Sequence, residues 1–230
     1  GDRSEWENHF NYLLQFFKDP RYIKIDNKPV VNIYHSYEIP HLKEMRDVWD
    51  ELARQSGFAG IYLVVGNTGA IQRETRIDAI DAYYNYEPGN TSKHIMSRMD
   101  RTFRKIRHGV KKYGMRLIKR KKAPCPDAAT TYYKYTTLLT SYNSKKCYLG
   151  TFSAYDDTPR RQYKGAIIKS TPDEFYSNLM EIKTTLHALN RDDDFVYITA
   201  WNEWGEGAYL EPDTMNQYKY LEAIKKAVRD

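Results

Sequence analysis

Cysteine is scarce: Cys125 and Cys147 are the two in 230 residues, and they lie 22 positions apart. That excludes a disulfide-stapled scaffold and fits no zinc or redox spacing, so two free thiols in a reducing compartment are expected. Six histidines are spread as His9, His35, His41, His94, His108 and His187, with no HExxH or similar pair. The run Asp192-Asp193-Asp194 reads as a solvated turn before a strand, in preference to a cation site. No metal is expected. No glycine-rich phosphate cradle is present, so no nucleotide or other cofactor is expected either. No apolar run approaches the roughly 18 residues of a membrane-spanning helix. There is no internal repeat, no low-complexity linker and no visible signal peptide. The reading is one domain over 1–230, cut from something longer, since the chain begins at Gly1 without Met.

Apolar residues make up 41% and aromatic residues 14%, which is the composition of a packed globular domain. The net charge of +6 is uneven. Residues 101–122, "RTFRKIRHGVKKYGMRLIKRKK", hold 11 Lys and Arg and no acid, leaving 25 basic against 30 acidic residues elsewhere. An apolar seam of Phe103, Ile106, Val110, Tyr113 and Leu117 runs through this stretch. It reads as a helix with a basic outer face. The alternative is docking on an anionic membrane surface or a lipid-linked glycan. Nucleic acid is the weakest reading, because no zinc finger or aromatic RNA-binding motif accompanies the charge.

Hydrophobic spacing predicts helices over 4–17, 40–57, 91–113, 171–189 and 216–228, and ambiguously over 130–142. Ser4 with Glu7, and Thr171 with Glu174, have the spacing of a capping box. Short apolar runs at 28–36, 60–66, 79–84, 146–152 and 194–200 predict five strands. They are continuous rather than alternating, the pattern of a parallel sheet covered by helices. Polar and aromatic clusters follow them: Tyr34-His35-Ser36, Asn67-Thr68, Asn85-Tyr86-Glu87, Asp156-Asp157 and Trp201 onward. Open α/β sheets and (β/α)8 barrels both keep their sites at the carboxyl ends of strands. The expected fold is therefore α/β, of the TIM-barrel type, with about three of eight strands missing.

The densest cluster is "ITAWNEWGEGAYLEPD", residues 198–213. Glu203 and Glu206 are three apart, which puts both carboxylates on one side of a turn. Gly205 and Gly207 permit an irregular backbone there. Two carboxylates between tryptophans suit glycosidic chemistry, one as proton donor and the other as base or nucleophile. Trp201 and Trp204 offer indole faces to a sugar ring, and Asn202 can bond its hydroxyls. Glu211 is a third acid. Tyr34, His35 and Glu87, at the ends of earlier strands, are further candidates for substrate binding.

"AWNEWGEGAYLEPD" resembles the signature of the WbsX-type glycosyltransferases, whose domain is also described as glycoside-hydrolase-family-99-like. "LLQFFKDPRYIKIDNKPVVNIY" (13–34) and "GTFSAYDDTPRR" (150–161) agree. The resemblance implies a (β/α)8 barrel acting on glycans, in polysaccharide biosynthesis or glycan cleavage. In the related endo-mannosidases the motif glutamates assist a retaining cleavage in which the sugar's own 2-hydroxyl takes part. By that likeness Glu203 acts on the 2-hydroxyl and Glu206 is the general acid/base. Asp156, Asp157 and Arg160 match a polar segment near the site. Gly205 stands where the endo-mannosidases have a bulkier histidine, a departure from their pattern that leaves the sugar specificity open. Family members carry an N-terminal third with the first strands, so those are expected upstream of Gly1. The expectation is a bacterial, cytoplasmic or membrane-peripheral enzyme with a glycan partner, lipid-linked or cell-surface. The alternative is a non-catalytic glycan-binding or scaffold module.

Overall fold

In the computed structural model the first helix, α1 (Arg3–Phe17), starts from Asp2 rather than from Ser4. The Glu5 amide donates to the Asp2 carboxylate at 3.0 Å, and the Asp2 amide donates back to Glu5 at 3.1 Å. Asp2 with Glu5 has the same spacing as Ser4 with Glu7, and an aspartate caps as well as a serine. The structure describes residues 1–68, 73–96, 99–103, 105–106, 109, 126–192 and 194–230. Most of the basic segment 101–122, together with Cys125, His108 and Asp193, lies outside the described residues. Two units emerge: Gly1–Tyr84 with Ser141–Cys147, and Asn85–Thr140 with Tyr148–Asp230.

The first unit is built on a sheet of order β1-β2-β3-β4-β7-β6. Its strands are β1 (Lys24–Ile25), β2 (Lys28–Ile33), β3 (Tyr62–Asn67), β4 (Ala82–Asn85), β6 (Ser141–Tyr142) and β7 (Lys145–Tyr148). β2 and β3 run parallel, with Val31 beside Leu63. The helix between them, α2 (Leu42–Gln55), buries Leu42, Met45, Val48, Trp49 and Ala53. Against it α1 sets Phe10 and Phe17, and the Trp49 indole donates to the Trp6 carbonyl at 2.9 Å. Arg46, shielded on α2, donates to the carbonyls of Ala79 at 2.8 Å and Ile61 at 3.2 Å and pairs with Asp81 at 2.9 Å. Asp81 in turn accepts the Leu63 amide at 2.7 Å, so one network ties helix to sheet. Two tight hairpins were not foreseen. Asp26-Asn27 joins β1 to β2 and Asn143-Ser144 joins β6 to β7, all four residues with positive φ. Asx residues tolerate the left-handed region that such two-residue turns demand.

In the second unit β8 (Gly150–Phe152) pairs in parallel with β11 (Tyr197–Thr199). A three-stranded sheet orders β5 (Asp127–Ala128), β10 (Ile167–Lys169) and β9 (Tyr155–Asp156), with β10 parallel to β5 and antiparallel to β9. Helix α3 (Pro172–Ala188) has the expected capping box, Thr171 with Glu174. It packs on α4 (Lys219–Arg229) through Phe175, Tyr220 and Ala223. Buried Asn178 accepts from the Thr151 hydroxyl at 2.6 Å and donates to Thr136 at 2.9 Å, so its amide is not left unpaired.

Three expectations need revision. The stretch 130–142 forms one helical turn, Thr130–Tyr133, followed by hydrogen-bonded turns. Threonine and tyrosine are modest helix formers, and docking of Tyr132 and Tyr133 into a core with Phe152 and Ile168 decides the path. The strand expected over 146–152 is broken at Leu149 into β7 and β8. Of the helix expected over 91–113, Thr91–Ile95 is a wide π-type turn, while residues 99–103, 105–106 and 109 are helical as expected. Among the described residues the sheets are mixed α/β with parallel pairs, and no closed barrel sheet is formed. No helix among them is long and apolar enough to cross a membrane. Cys147 is a buried free thiol.

A Cβ at Gly150 would lie 1.9 Å from the Asn85 carbonyl oxygen, a backbone atom that cannot swing aside. Gly150→Ala should therefore lower unfolding stability by roughly 3 kcal/mol or more in urea titrations.

Candidate active site

β11 ends at Thr199, and the chain then folds into a hairpin of β12 (Asn202–Glu203) and β13 (Ala208–Tyr209). The connecting turn, Trp204–Glu206, ends at Gly207 in the left-handed conformation, φ 57°. A Cβ at Gly207 would come within 3.1 Å of the Asp156 Cβ, so glycine also lets the two loops approach. The Trp201 carbonyl accepts the amides of Leu210 at 2.9 Å and Glu211 at 3.1 Å, closing the base of the loop. The Ser153 hydroxyl donates to the Tyr209 carbonyl at 2.8 Å and fixes the hairpin to the segment that follows β8.

Trp204 stacks on Tyr209 with ring centroids 3.8 Å apart and planes 18° apart. Its indole N–H donates to Glu211 at 2.7 Å, so the ring is held both by face and by edge. Trp201 and Trp204 remain 55% and 49% exposed, large indole surfaces left open at a loop. Glu203 is exposed, and its carboxylate folds toward Gly205. The Glu206 side chain is only 13% exposed and forms an ion pair with Arg160. Two glutamates three residues apart thus have different surroundings.

Arg160 belongs to the one-turn helix Thr158–Arg161, which the aspartates before it hold in place. Asp156 accepts from the Thr158 amide at 2.9 Å and its hydroxyl at 2.6 Å. Asp157, nearly fully buried, accepts the Ala166 amide at 2.6 Å and pairs with Arg161 at 3.2 Å. These two aspartates shape the loop that presents Arg160. Burial pushes the Tyr155 phenol well above its usual value, and the charges of Glu206 and Asp157 push the same way. Tyr155, Ser153 and Tyr209 were not singled out from the sequence. For Tyr209 the signal was there, since a glycine-rich turn flanked by two short extended pairs reads as a hairpin.

Glu87 lies fully buried after β4. Its carboxylate accepts from the Asn90 side chain at 3.2 Å and the Thr91 amide at 3.1 Å, and so braces the turn that follows. Burial raises its pKa to about 7, against the hydrogen bonds from Thr91 and Asn90. Tyr34 and His35 belong to the first unit, where they stack on each other at the end of β2 with centroids 4.1 Å apart.

The described residues thus form a mixed α/β frame with parallel strand pairs, and a hairpin after one of those strands carries the indoles and carboxylates. A solved structure described as a glycoside hydrolase-like protein superposes with a TM-score of 0.58 at 12% identity, covering 96% of this chain and 60% of that one. That likeness speaks to the fold alone. The chain belongs to the WbsX glycosyltransferase family, whose profile matches residues 2–224. It is 24% identical over 226 residues to the uncharacterized protein WxcX of Xanthomonas campestris pv. campestris strain B100. The WxcX of a second strain of that pathovar matches equally, at 24%. The alignment takes in 94% of this chain and 29% of the WxcX length, so the chain spans under a third of those relatives.

Glu87 carries a stability signature. Its folded pKa of about 7 stands above the ordinary 4.5, so the native state holds the proton more tightly than the unfolded chain. The associated stability is full below the unfolded value and is lost as pH rises through about 7, amounting to about 3 kcal/mol. Glu87→Gln never ionises and keeps one of the two acceptor oxygens. It should be more stable than the parent at pH 8 and nearly equal to it at pH 5 in urea unfolding.

Proposed function

We propose that this chain is the glycosidic-bond-handling portion of a larger enzyme, with Glu203 and Glu206 as its acid-base pair. In this reading it is a single domain, the C-terminal part of a (β/α)8 barrel. The observation that carries the reading is the hairpin after β11, which gathers Trp201, Asn202, Glu203, Trp204 and Glu206 on one short turn beside Arg160. Indole faces suit the C–H faces of pyranose rings, and the two carboxylates are environmentally distinct, as acid-base division of labour requires.

The chemistry that fits is the retaining route implied by the family likeness. Glu203 accepts the proton of the sugar 2-hydroxyl while the sugar's 2-oxygen attacks the anomeric carbon. The bond to the departing oxygen breaks as Glu206 protonates that oxygen. Water or an acceptor hydroxyl then adds to the anomeric carbon, losing its proton to Glu206, as the bond between that carbon and the 2-oxygen breaks and Glu203 returns its proton to the 2-oxygen. Water makes the outcome hydrolysis, and a sugar hydroxyl makes it transfer. Arg160 has to leave the Glu206 carboxylate for this cycle.

A second reading has its own observation: the Glu206 carboxylate is occupied by Arg160 while both tryptophans stay open. That arrangement suits a glycan-binding module. In the full-length protein, Glu203→Gln and Glu206→Gln should each lower turnover on its glycan by about 10²–10⁴-fold with the melting temperature unchanged. Glycan binding without turnover, insensitive to Glu206→Gln, would establish the module instead.

The glycan in this reading is lipid-linked or bound for the cell surface, and the basic segment 101–122 is the part suited to an anionic membrane. Co-sedimentation with vesicles rich in anionic phospholipid should then fall steeply between low and high salt, and also when Lys119, Arg120, Lys121 and Lys122 are made neutral. Sedimentation indifferent to both would rule out this docking.

A further inference from the structure

The loop after β2 presents a ring column that the hairpin chemistry does not use. Tyr34 stacks on His35 with planes 27° apart, and the His35 ring lies 5.1 Å from that of Tyr37 at 35°. The Arg73 guanidinium sits 5.5 Å from the Tyr37 ring centroid. His35 Nδ1 is 3.4 Å from a Glu38 carboxylate oxygen, a contact that helps set the turn of the imidazole. Tyr34 is 46% exposed, so much of its side chain meets solvent.

Beneath the loop lies a clamp. The Glu74 side chain is 1% exposed and receives Arg76 Nε and Nη2, each at 2.9 Å. The same guanidinium donates to the carbonyls of Ser36 at 3.0 Å and Pro40 at 2.9 Å, and to that of Ile39. One side chain therefore fastens three backbone groups of the loop. A shielded ion pair is close to break-even for stability against an apolar pair. What it does supply is order, and a loop ordered in advance loses less entropy on binding.

We propose that the Tyr34–His35–Tyr37 column is a carbohydrate subsite, taking the C–H face of a pyranose ring against Tyr34, with Arg76 as the positioning residue that locks it. The electron-rich ring face attracts polarised C–H groups, and the stack behind Tyr34 keeps the ring from turning away. The subsite rests on the carbohydrate reading above but uses none of its catalytic residues.

The test is aromatic-ring NMR of the chain during titration with methyl α-mannopyranoside, methyl β-glucopyranoside and methyl α-rhamnopyranoside. The expected result is a saturable shift of the Tyr34 and His35 ring signals with at least one glycoside. It should persist in Glu206→Gln and weaken about tenfold or more in Tyr34→Ala. Arg76→Lys keeps the charge but cannot reach all three carbonyls. It should weaken glycoside affinity severalfold with the fold intact by circular dichroism, whereas a purely structural clamp would lower stability and leave affinity alone. Ring signals that stay still up to about 100 mM while the Trp201 and Trp204 signals move would overturn the subsite and leave the hairpin reading standing. Silence at both places overturns the subsite as well, and the glutamate variants judge the enzyme reading separately. A response to uridine 5′-monophosphate and to none of the glycosides would make the column a nucleotide platform, against this proposal.

Discussion

Parallel pairing of β8 with β11 sets Phe152 beside Thr199. Both strands end at the same edge, so the segments leaving them, 153–161 and 200–213, are delivered side by side. An antiparallel pair would have sent them to opposite ends. The contacts between these two segments use this adjacency: the Ser153 bond to Tyr209, the Gly207 approach to Asp156, and the Arg160 pair with Glu206. The register matters as much as the direction. A slip of one residue would turn the side chains of β11 to the other face and move the hairpin with them.

Given that delivery, local chemistry removes freedom from groups that would otherwise wander. A half-exposed tryptophan on a turn samples several rotamers. Trp204 instead has Tyr209 on its face and Glu211 on its N–H, so its ordering precedes any ligand. The neighbouring loop follows the same logic from the inside. Asp157 is too deeply buried to meet a ligand, yet its two hydrogen-bonded oxygens hold the backbone that carries Arg160. Glu87 likewise spends its carboxylate on the turn after β4. Acidic residues at strand ends thus divide into those that meet solvent and those that brace the loops of their neighbours, and burial tells them apart.

Sequence pattern made the first kind easier to see than the second. The five strand runs, the Thr171–Glu174 cap and the 198–213 cluster were legible because each is written in consecutive residues. Glu203 and Glu206 are near in sequence, so their shared turn could be read directly. The Arg160 pair could not, since 46 residues separate its partners. Asp26-Asn27 and Asn143-Ser144 were missed as hairpins because neither turn contains glycine, the usual mark of positive φ, and Asx residues had to supply it. At 130–142 the tyrosines satisfied a helical spacing and a packed, irregular path equally well. Only the core they enter, with Phe152 and Ile168, chooses between them. A capping box displaced by two residues, from Ser4 to Asp2, is the mildest case: the pattern was right and recurred in overlapping frames.

The asymmetry between the two hairpin glutamates bears on the proposed chemistry. Glu206 is shielded and paired, whereas Glu203 stands exposed at the end of β12. A pair buried on both sides would resist separation, because parting it strands a charge in a dry place. Here the Arg160 side chain is 66% exposed, so its guanidinium can leave for water at little cost. The carboxylate it leaves behind is the better shielded partner, against Tyr155 and the turn. A sugar laid across Trp201 and Trp204 would displace solvent from that same place and offer hydroxyls where the guanidinium had been. On the proposed chemistry, the pair would hold Glu206 in its present orientation and give way to a ligand with suitable donors. An ion pair whose cation stands in water is a poor source of stability, and that would suit it to such an exchange.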